Sequence, residues 1–293
     1  MIYNLMPNMI IRKGGENLKF TKMHGIGNDY IYFNCFKENI EDPESLSIKL
    51  SDRHFGVGGD GIVMIMPSDT CDFRMRMFNA DGSEGKMCGN ATRCIGKYVY
   101  EKGLTDKTEI TLETLAGVKY LKLDVKDDIV ENITVDMGKA NFTAKEIPVI
   151  SDKEEVVEED LTVNGVTHKM TCVSMGNPHC VIFTEGIKDL DIEKIGPAYE
   201  NNPLFPERIN TEFVEYIDPL NLNMRVWERG SGETLACGTG ACAVVSAAVK
   251  TGRCRPGEFV KVNLIGGTLE IMYKSDSTVI MKGPAAFSFE GEI

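Results

Sequence analysis

The sequence predicts a mixed α/β (α+β) protein of two pseudo-symmetric domains, each a curved, mostly antiparallel sheet around a central helix, with the active site in the cleft between them. Three observations predict it. The chain has 293 residues, more than the roughly 200–250 that one hydrophobic core ordinarily holds. Two segments repeat one pattern 149 positions apart. In both repeats the order is the same: strand, glycine-rich turn, cysteine, helix.

The repeat comes first because it fixes the architecture. Arg74–Gly89 reads RMRMFNADGSEGKMCG, and Asn223–Gly238 reads NMRVWERGSGETLACG. Aligning Cys88 with Cys237 also aligns Met75 with Met224, Arg76 with Arg225, Glu84 with Glu233 and Gly89 with Gly238. The same offset pairs Gly27-Asn28 with Gly176-Asn177, 60 residues before the cysteines, and Gly103 with Gly252, 15 residues after them. One window yields chance identities easily; one offset held at three separated places points to a duplication.

Each half then reads alike. A β-rich segment ends in a Gly-Asn turn (HGIGND, then SMGNPH), and alternating residues over Asp72–Phe78 and Leu222–Trp227 read as strands. A Gly/Ser-rich turn, the cysteine and a helix follow. The second helix, Thr239–Lys250, is apolar on nearly all sides, which places it at a domain centre. Gly103 and Gly252 stand just past the two helices and suit C-terminal caps. Hairpin-like strands return over Thr108–Asp136 and Phe259–Met281.

Composition narrows the function. A net charge of -12 opposes a phosphate backbone, so nucleic acid is not an expected partner. The acidic run Asp152–Asp160 reads as a solvated loop. No apolar run approaches the roughly 20 residues of a membrane helix, and MIYNLMPNMIIRKGG lacks the features of a secretory signal. A cytoplasmic location without membrane contact is therefore expected. Nine cysteines, an odd number with no CxxC pair, and only four histidines argue against a disulfide scaffold and against a metal site. Most of these thiols, Cys94 and Cys242 among them, read as small buried hydrophobes.

Cys88 and Cys237 differ from the rest. Each stands at the start of a helix and precedes a glycine. A helix N-terminus offers unpaired N–H groups and partial positive charge, which favour thiolate and hold a carboxylate. Two such ends facing each other would set one thiol on each side of an α-carbon. One thiolate then removes the α-proton while the opposite thiol returns one to the other face. The helix ends stabilise the carbanion without a cofactor.

The segments FTKMHGIGNDY, RHFGVGGDG, FNADGSEGKMCGNATRC, SMGNPHCV, FPERINTEF and WERGSGETLACGTGACA, in order across Phe20–Ala243, resemble the signatures of the diaminopimelate epimerase family. The resemblance implies interconversion of LL- and meso-diaminopimelate, ahead of lysine and peptidoglycan cross-linking, with a small-molecule substrate. Cys88 and Cys237 match the family's catalytic bases. Asn28, Gly89, Asn90, Gly238 and Thr239 match residues at the reacting centre; Asn79, Asn177, Asn210, Glu228 and Arg229 match those at the distal centre. Taken alone, the asparagines would be turn residues and Glu228-Arg229 a surface ion pair. The resemblance also implies that the terminal segment returns to the first domain. The boundaries are then 1–132 plus 282–293 for that domain and 133–281 for the second, with a homodimer left open.

The chain departs from the pattern twice. Gly61 stands where some members carry a glutamine that touches substrate, so that contact is absent or replaced. About 18 residues precede the family's usual start near Lys19, with no assigned role. His179 reads equally as a structural residue and as a group orienting Cys237 or substrate. Other readings stay open: a racemase or isomerase of the same fold, a cysteine hydrolase with His179 as base, and a non-catalytic amino-acid binder.

Overall fold

A computed structural model describes residues 17–293; apart from its last two residues, the N-terminal extension lies outside the described residues. Four α-helices occur among them: α1 (Pro43–Ser51), α2 (Gly89–Glu101), α3 (Ile192–Glu200) and α4 (Gly238–Lys250). Eighteen strands of the described residues hydrogen-bond into one continuous sheet. None of the helices is long and apolar enough to cross a membrane.

The 149-residue offset holds throughout. It carries α1 onto α3 and α2 onto α4, residue for residue. Asn28–Asn34 runs parallel to Gly61–Met66, as Pro178–Phe183 does to Asn210–Asp218. Phe73–Asn79 runs parallel to Glu109–Thr114, as Asn221–Glu228 does to Phe259–Leu264. Such parallel neighbours need a crossover, and α2 and α4 lie within the latter two crossovers.

The halves join along Ile129–Lys139 and Thr278–Gly283, two strands that are themselves counterparts. They pair antiparallel with Val135 opposite Met281 and Thr134 opposite Lys282. Counterparts facing each other in this way place a pseudo-two-fold axis between them. The terminal strand Ala286–Glu292 crosses back to pair with Lys19–Gly25, and Leu18 and Ile293 exchange backbone hydrogen bonds of 2.8 and 2.9 Å.

The core follows this plan. Its central cluster wraps both long helices, through Cys94, Ile95 and Val99 of α2 and Ala241, Val244 and Val245 of α4. Every residue of α4 from Gly240 to Ala248 is buried, as its apolar sequence predicts. Smaller clusters seat α1 on Ile31 and Phe78, and α3 on Phe213 and Trp227. The Trp227 ring lies on Gly196, where a Cβ would come within 2.2 Å of it, and its Nε1–H donates to Glu200 Oε2 at 2.6 Å. That packing anchors the end of the strand that carries Glu228.

Both long helices stop as expected. Gly103 and Gly252 take φ of +69° and +75°, and their N–H groups donate to Tyr100 O and Val249 O at 3.0 and 3.1 Å. Two turns near the site repeat an unusual backbone as well: Gly27 and Gly176 share a φ of +94°. A Cβ at Gly27 would stand 3.0 Å from Leu235 Cδ1, so this turn of the first half presses on the second.

Candidate active site

Cys88 and Cys237 are the N-cap residues of α2 and α4, with extended backbones (φ −132°, ψ 122° and φ −121°, ψ 107°). They therefore stand one residue ahead of the first helical turn. Cys237 Sγ accepts from Gly240 N at 3.4 Å and lies 3.6 Å from Thr239 Oγ1. Cys88 is half-buried and turns its Sγ to Asn28 Oδ1, 3.4 Å away.

The two caps meet. Asn90 Nδ2, on the first turn of α2, donates at 3.4 Å to the carbonyl of Ala236, the residue before Cys237. Gly89 and Gly238 share Met281 as a neighbour: a Cβ on Gly89 would lie 2.8 Å from its Cε, and one on Gly238 3.2 Å from its Sδ. Glycine at both positions lets the helix starts approach this closely.

Burial outweighs the helix ends in setting the thiols' charge. It pushes Cys88 above the ordinary thiol range, against the N–H groups of Ala91 and Asn90 and the Arg93 guanidinium. It pushes Cys237 well above that range, helped by the carboxylates of Glu228 and Glu212. This corrects the sequence expectation of two lowered thiols, because the helix ends act in a site shielded from water.

Beside them opens a cleft of about 1030 Å³ lined from both halves, including Asn28, Tyr30, Arg53, Asp60 and Asn79 from the first and Glu228, Arg229, Ser231 and Thr234 from the second. Glu228 accepts from Thr234 Oγ1 and lies in hydrogen-bonding reach of Cys237; burial raises its carboxyl above the usual range. Arg229 Nη1 donates to Glu207 O at 2.9 Å and its N–H to Asn210 Oδ1 at 2.9 Å, while Asn210 Nδ2 holds Pro178 O at 2.7 Å. Glu228 and Arg229 thus meet the cleft side by side, each held by a different partner. Asn177 Nδ2 donates to Thr239 Oγ1 at 3.3 Å. All twelve residues read from the sequence fall in this one neighbourhood.

Both ring nitrogens of His179 are taken. Nδ1 pairs with Glu212 Oε1 at 2.6 Å, the His179 and Glu212 side chains both fully buried, and Nε2 pairs with Asn177 Oδ1 at 3.0 Å. His179 therefore orients Asn177 and has no free nitrogen for a thiol.

Sequence reasoning missed the supports. Arg53 bridges Asp29 and Asp60 at 2.8 and 3.0 Å, and Asp60 Oδ2 accepts from Asn28 Nδ2 at 2.7 Å. These residues sit in motifs already quoted (GIGNDY and RHFGVGGDG), so the motifs located them without their pairing. Arg93, in CGNATRC, is fully buried. Its guanidinium bonds Asn90 Oδ1 at 2.8 Å and the carbonyls of Pro284 and Gly89 at 3.2 and 3.3 Å.

Comparison with known proteins places both cysteine segments within one family. The diaminopimelate epimerase family model matches residues 20–143 and 171–288. The diaminopimelate epimerase of Acetivibrio thermocellus is 55% identical over 277 residues, covering 94% of this chain and 98% of that protein. The diaminopimelate epimerase of Methanococcus maripaludis is 53% identical, covering 94% and 99%. In fold, the chain is similar to a probable proline racemase from Agrobacterium radiobacter (TM-score 0.71, 14% identity, 94% of this chain and 92% of that one). It is similar also to a phenazine biosynthesis protein from Bacillus anthracis (TM-score 0.69, 18% identity, 95% and 99%). Long matches at this identity, spanning both cysteine segments, place the chain in the diaminopimelate epimerase family, isomerases that act on an amino acid.

Proposed function

We propose that this chain interconverts LL- and meso-2,6-diaminopimelate by a two-base mechanism, with Cys88 and Cys237 on opposite faces of the α-carbon and no cofactor. The observation that carries the reading is the meeting of two equivalent N-cap cysteines through Asn90 and Ala236. The substrate's α-carboxylate sits at the two helix ends, whose N–H groups and partial positive charge hold it and take up charge as the carbanion forms. A thiolate on one side accepts the α-proton; the thiol on the other gives its proton to the opposite face. In the reverse direction the cysteines exchange roles.

Burial raises both thiols, but Cys88 less than Cys237, so Cys88 gives up its proton more readily and is the better base of the pair. Arg93 lies behind it, whereas carboxylates face Cys237 and favour the neutral thiol. Glu228 and Arg229 receive the ammonium and carboxylate of the distal centre; Asn79, Asn177 and Asn210 complete that end. A cysteine hydrolase would need His179 as base to a thiol, and Glu212 and Asn177 occupy both of its nitrogens.

The test follows diaminopimelate isomers with the enzyme in deuterated buffer by NMR. Deuterium should enter the α-position as the isomers interconvert, and activity should survive dialysis against chelator without pyridoxal phosphate. Binding with no exchange would leave only a binding protein.

A further inference from the structure

Neither the sequence pattern nor the resemblance picks out Tyr30, yet its ring lines the cleft beside Asn28 and is only 5% exposed. Its phenol lies within hydrogen-bonding reach of the Asn28 side chain. Cys88 and Asp60 of its own half and Glu228 of the other are close enough to act on it electrostatically. The ring also closes the space above Gly61. A Cβ there would stand 2.9 Å from Tyr30 Cε1 and 2.0 Å from the Phe78 carbonyl oxygen. With this backbone and this tyrosine, position 61 offers no side chain to the cleft.

The duplication supplies the second argument. At the 149-residue offset Tyr30 corresponds to His179 and Asn28 to Asn177. In the second half a ring holds the asparagine (3.0 Å), the asparagine holds Thr239 (3.3 Å), and Thr239 lies against Cys237 (3.6 Å). In the first half the string is one member shorter: phenol, Asn28, then the Cys88 thiol donating to Asn28 Oδ1 at 3.4 Å. Asp60 holds the other side of the Asn28 amide at 2.7 Å.

We propose that the Tyr30 hydroxyl is a positioning residue for proton transfer at Cys88, holding Asn28 against that thiol as His179 holds Asn177 on the other side. The proposal rests on the reading of Cys88 as a proton-transfer group. Burial, together with the thiol and carboxylates around it, keeps the phenol protonated far above neutral pH. The hydroxyl therefore acts as a neutral, fixed group and not as a competing base.

Tyr30→Phe keeps the ring and removes the hydroxyl. In the full chain, kcat for epimerisation of diaminopimelate should fall about 10- to 100-fold with KM changed far less, because a misplaced proton-transfer group slows chemistry more than binding. The thermal midpoint should barely move. Iodoacetamide labelling across pH, resolved by mass spectrometry, should shift at Cys88 and stay unchanged at Cys237. The titratable and charged groups that act on Cys88 in that titration include Arg93, Glu228, Tyr32, Cys94 and Tyr30 itself. In an Asn28→Ala background the further change to phenylalanine should add less than about twofold, since the two residues act in one string. A Tyr30→Phe enzyme with wild-type kcat and an unshifted Cys88 profile overturns the proposal, as do fully additive effects in the double variant. If the wild-type chain does not epimerise at all, the proposed function fails, and the labelling arm still decides the link from Tyr30 to Cys88.

Discussion

A guanidinium stands behind Cys88, and carboxylates stand behind Cys237. The duplication makes the difference legible: the counterpart of Arg93 is Cys242, and the counterpart of Glu212 is Val63, all four buried. Each half has placed its buried charge where the other keeps an apolar residue. Arg93 bonds the neutral acceptors Asn90 Oδ1, Gly89 O and Pro284 O, so among the described residues its charge has no carboxylate partner. A buried charge is costly without a counter-charge, and a thiolate at Cys88 or a bound carboxylate supplies one. Glu212 pairs its Oε1 with His179 Nδ1 at 2.6 Å, and among the described residues its Oε2 has no hydrogen-bond partner. A symmetric scaffold thus carries an asymmetric set of charges around its two thiols, which suits the two-base mechanism proposed above.

Removing either thiol should have the largest effect. Cys88→Ala and Cys237→Ala should each lower epimerisation by about 10³-fold or more, since each step loses its acid or its base. The comparison sharpens in the residual chemistry. Cys237→Ala keeps the better base and should still exchange the α-proton of one isomer with deuterated solvent; Cys88→Ala should exchange the other far more slowly. Equal exchange by both variants would break the asymmetry, and near wild-type epimerisation by either would break the two-base mechanism.

The next effect comes from where the cleft itself is asymmetric. Asn79-Ala80 correspond to Glu228-Arg229, and all four line the cleft. The second half has gained a carboxylate and a guanidinium, which in the proposed function receive the second zwitterionic head of the substrate, and only arginine could hold that head's carboxylate bidentately. Arg229→Lys should lose about 100-fold in kcat/KM on diaminopimelate, and wild type should reject lysine by about 10⁴. Assays of kcat/KM on both substrates decide this, and comparable activity on lysine would remove the pair from the site.

Much of this was legible because duplication writes the fold twice. The offset fixed by two cysteines located both long helices, their caps and the cleft, and it carries α1 onto α3, which the sequence alone left unread. Periodicity over Thr239–Lys250 gave a buried helix because its residues are apolar all round. The same reasoning could not place Arg93 in the core, since a charged side chain on a helix ordinarily reads as solvated. Tyr30 ends a quoted motif (FTKMHGIGNDY) yet is not singled out by it, because its counterpart His179 becomes informative only once the contacts of both rings are known. The thiols' charge was misread because sequence shows a helix end but not the burial that opposes it.

A smaller effect tests Arg93. Arg93→Met should move the Cys88 labelling profile up by about one pH unit, as expected for loss of a nearby cation, and leave Cys237 in place. Stability should fall by about 1–3 kcal/mol, because Asn90 Oδ1 loses a buried donor. An unmoved Cys88 profile, measured by iodoacetamide labelling and mass spectrometry, would show that the guanidinium does not set the charge there.

The last prediction extends the comparison from the site thiols to the core thiols. Burial pushes Cys94 and Cys242 to about 12, against about 8.5 in an unfolded chain. Below the unfolded value both states keep their protons, so the thiols' contribution to stability is fully present. As pH rises beyond about 8.5 the unfolded chain gives up protons that the native core retains, so stability falls until the folded value is reached. Each thiol can contribute a slope of up to about 1.4 kcal/mol per pH unit, or about 2 kcal/mol lost between pH 8.5 and 10. Urea midpoints taken over that window should therefore decline. In Cys94→Ala the protein starts less stable, because a cavity replaces the sulfur, but its midpoint should decline less steeply. Cys88→Ala should change the slope less, since the N–H groups of Ala91 and Asn90 and the Arg93 guanidinium oppose the rise at Cys88. The slope is the informative quantity, because it separates loss of the titrating group from loss of packing. If both variants keep the wild-type slope, the alkaline sensitivity lies in other groups, and the distinction between core and site thiols has no consequence for stability.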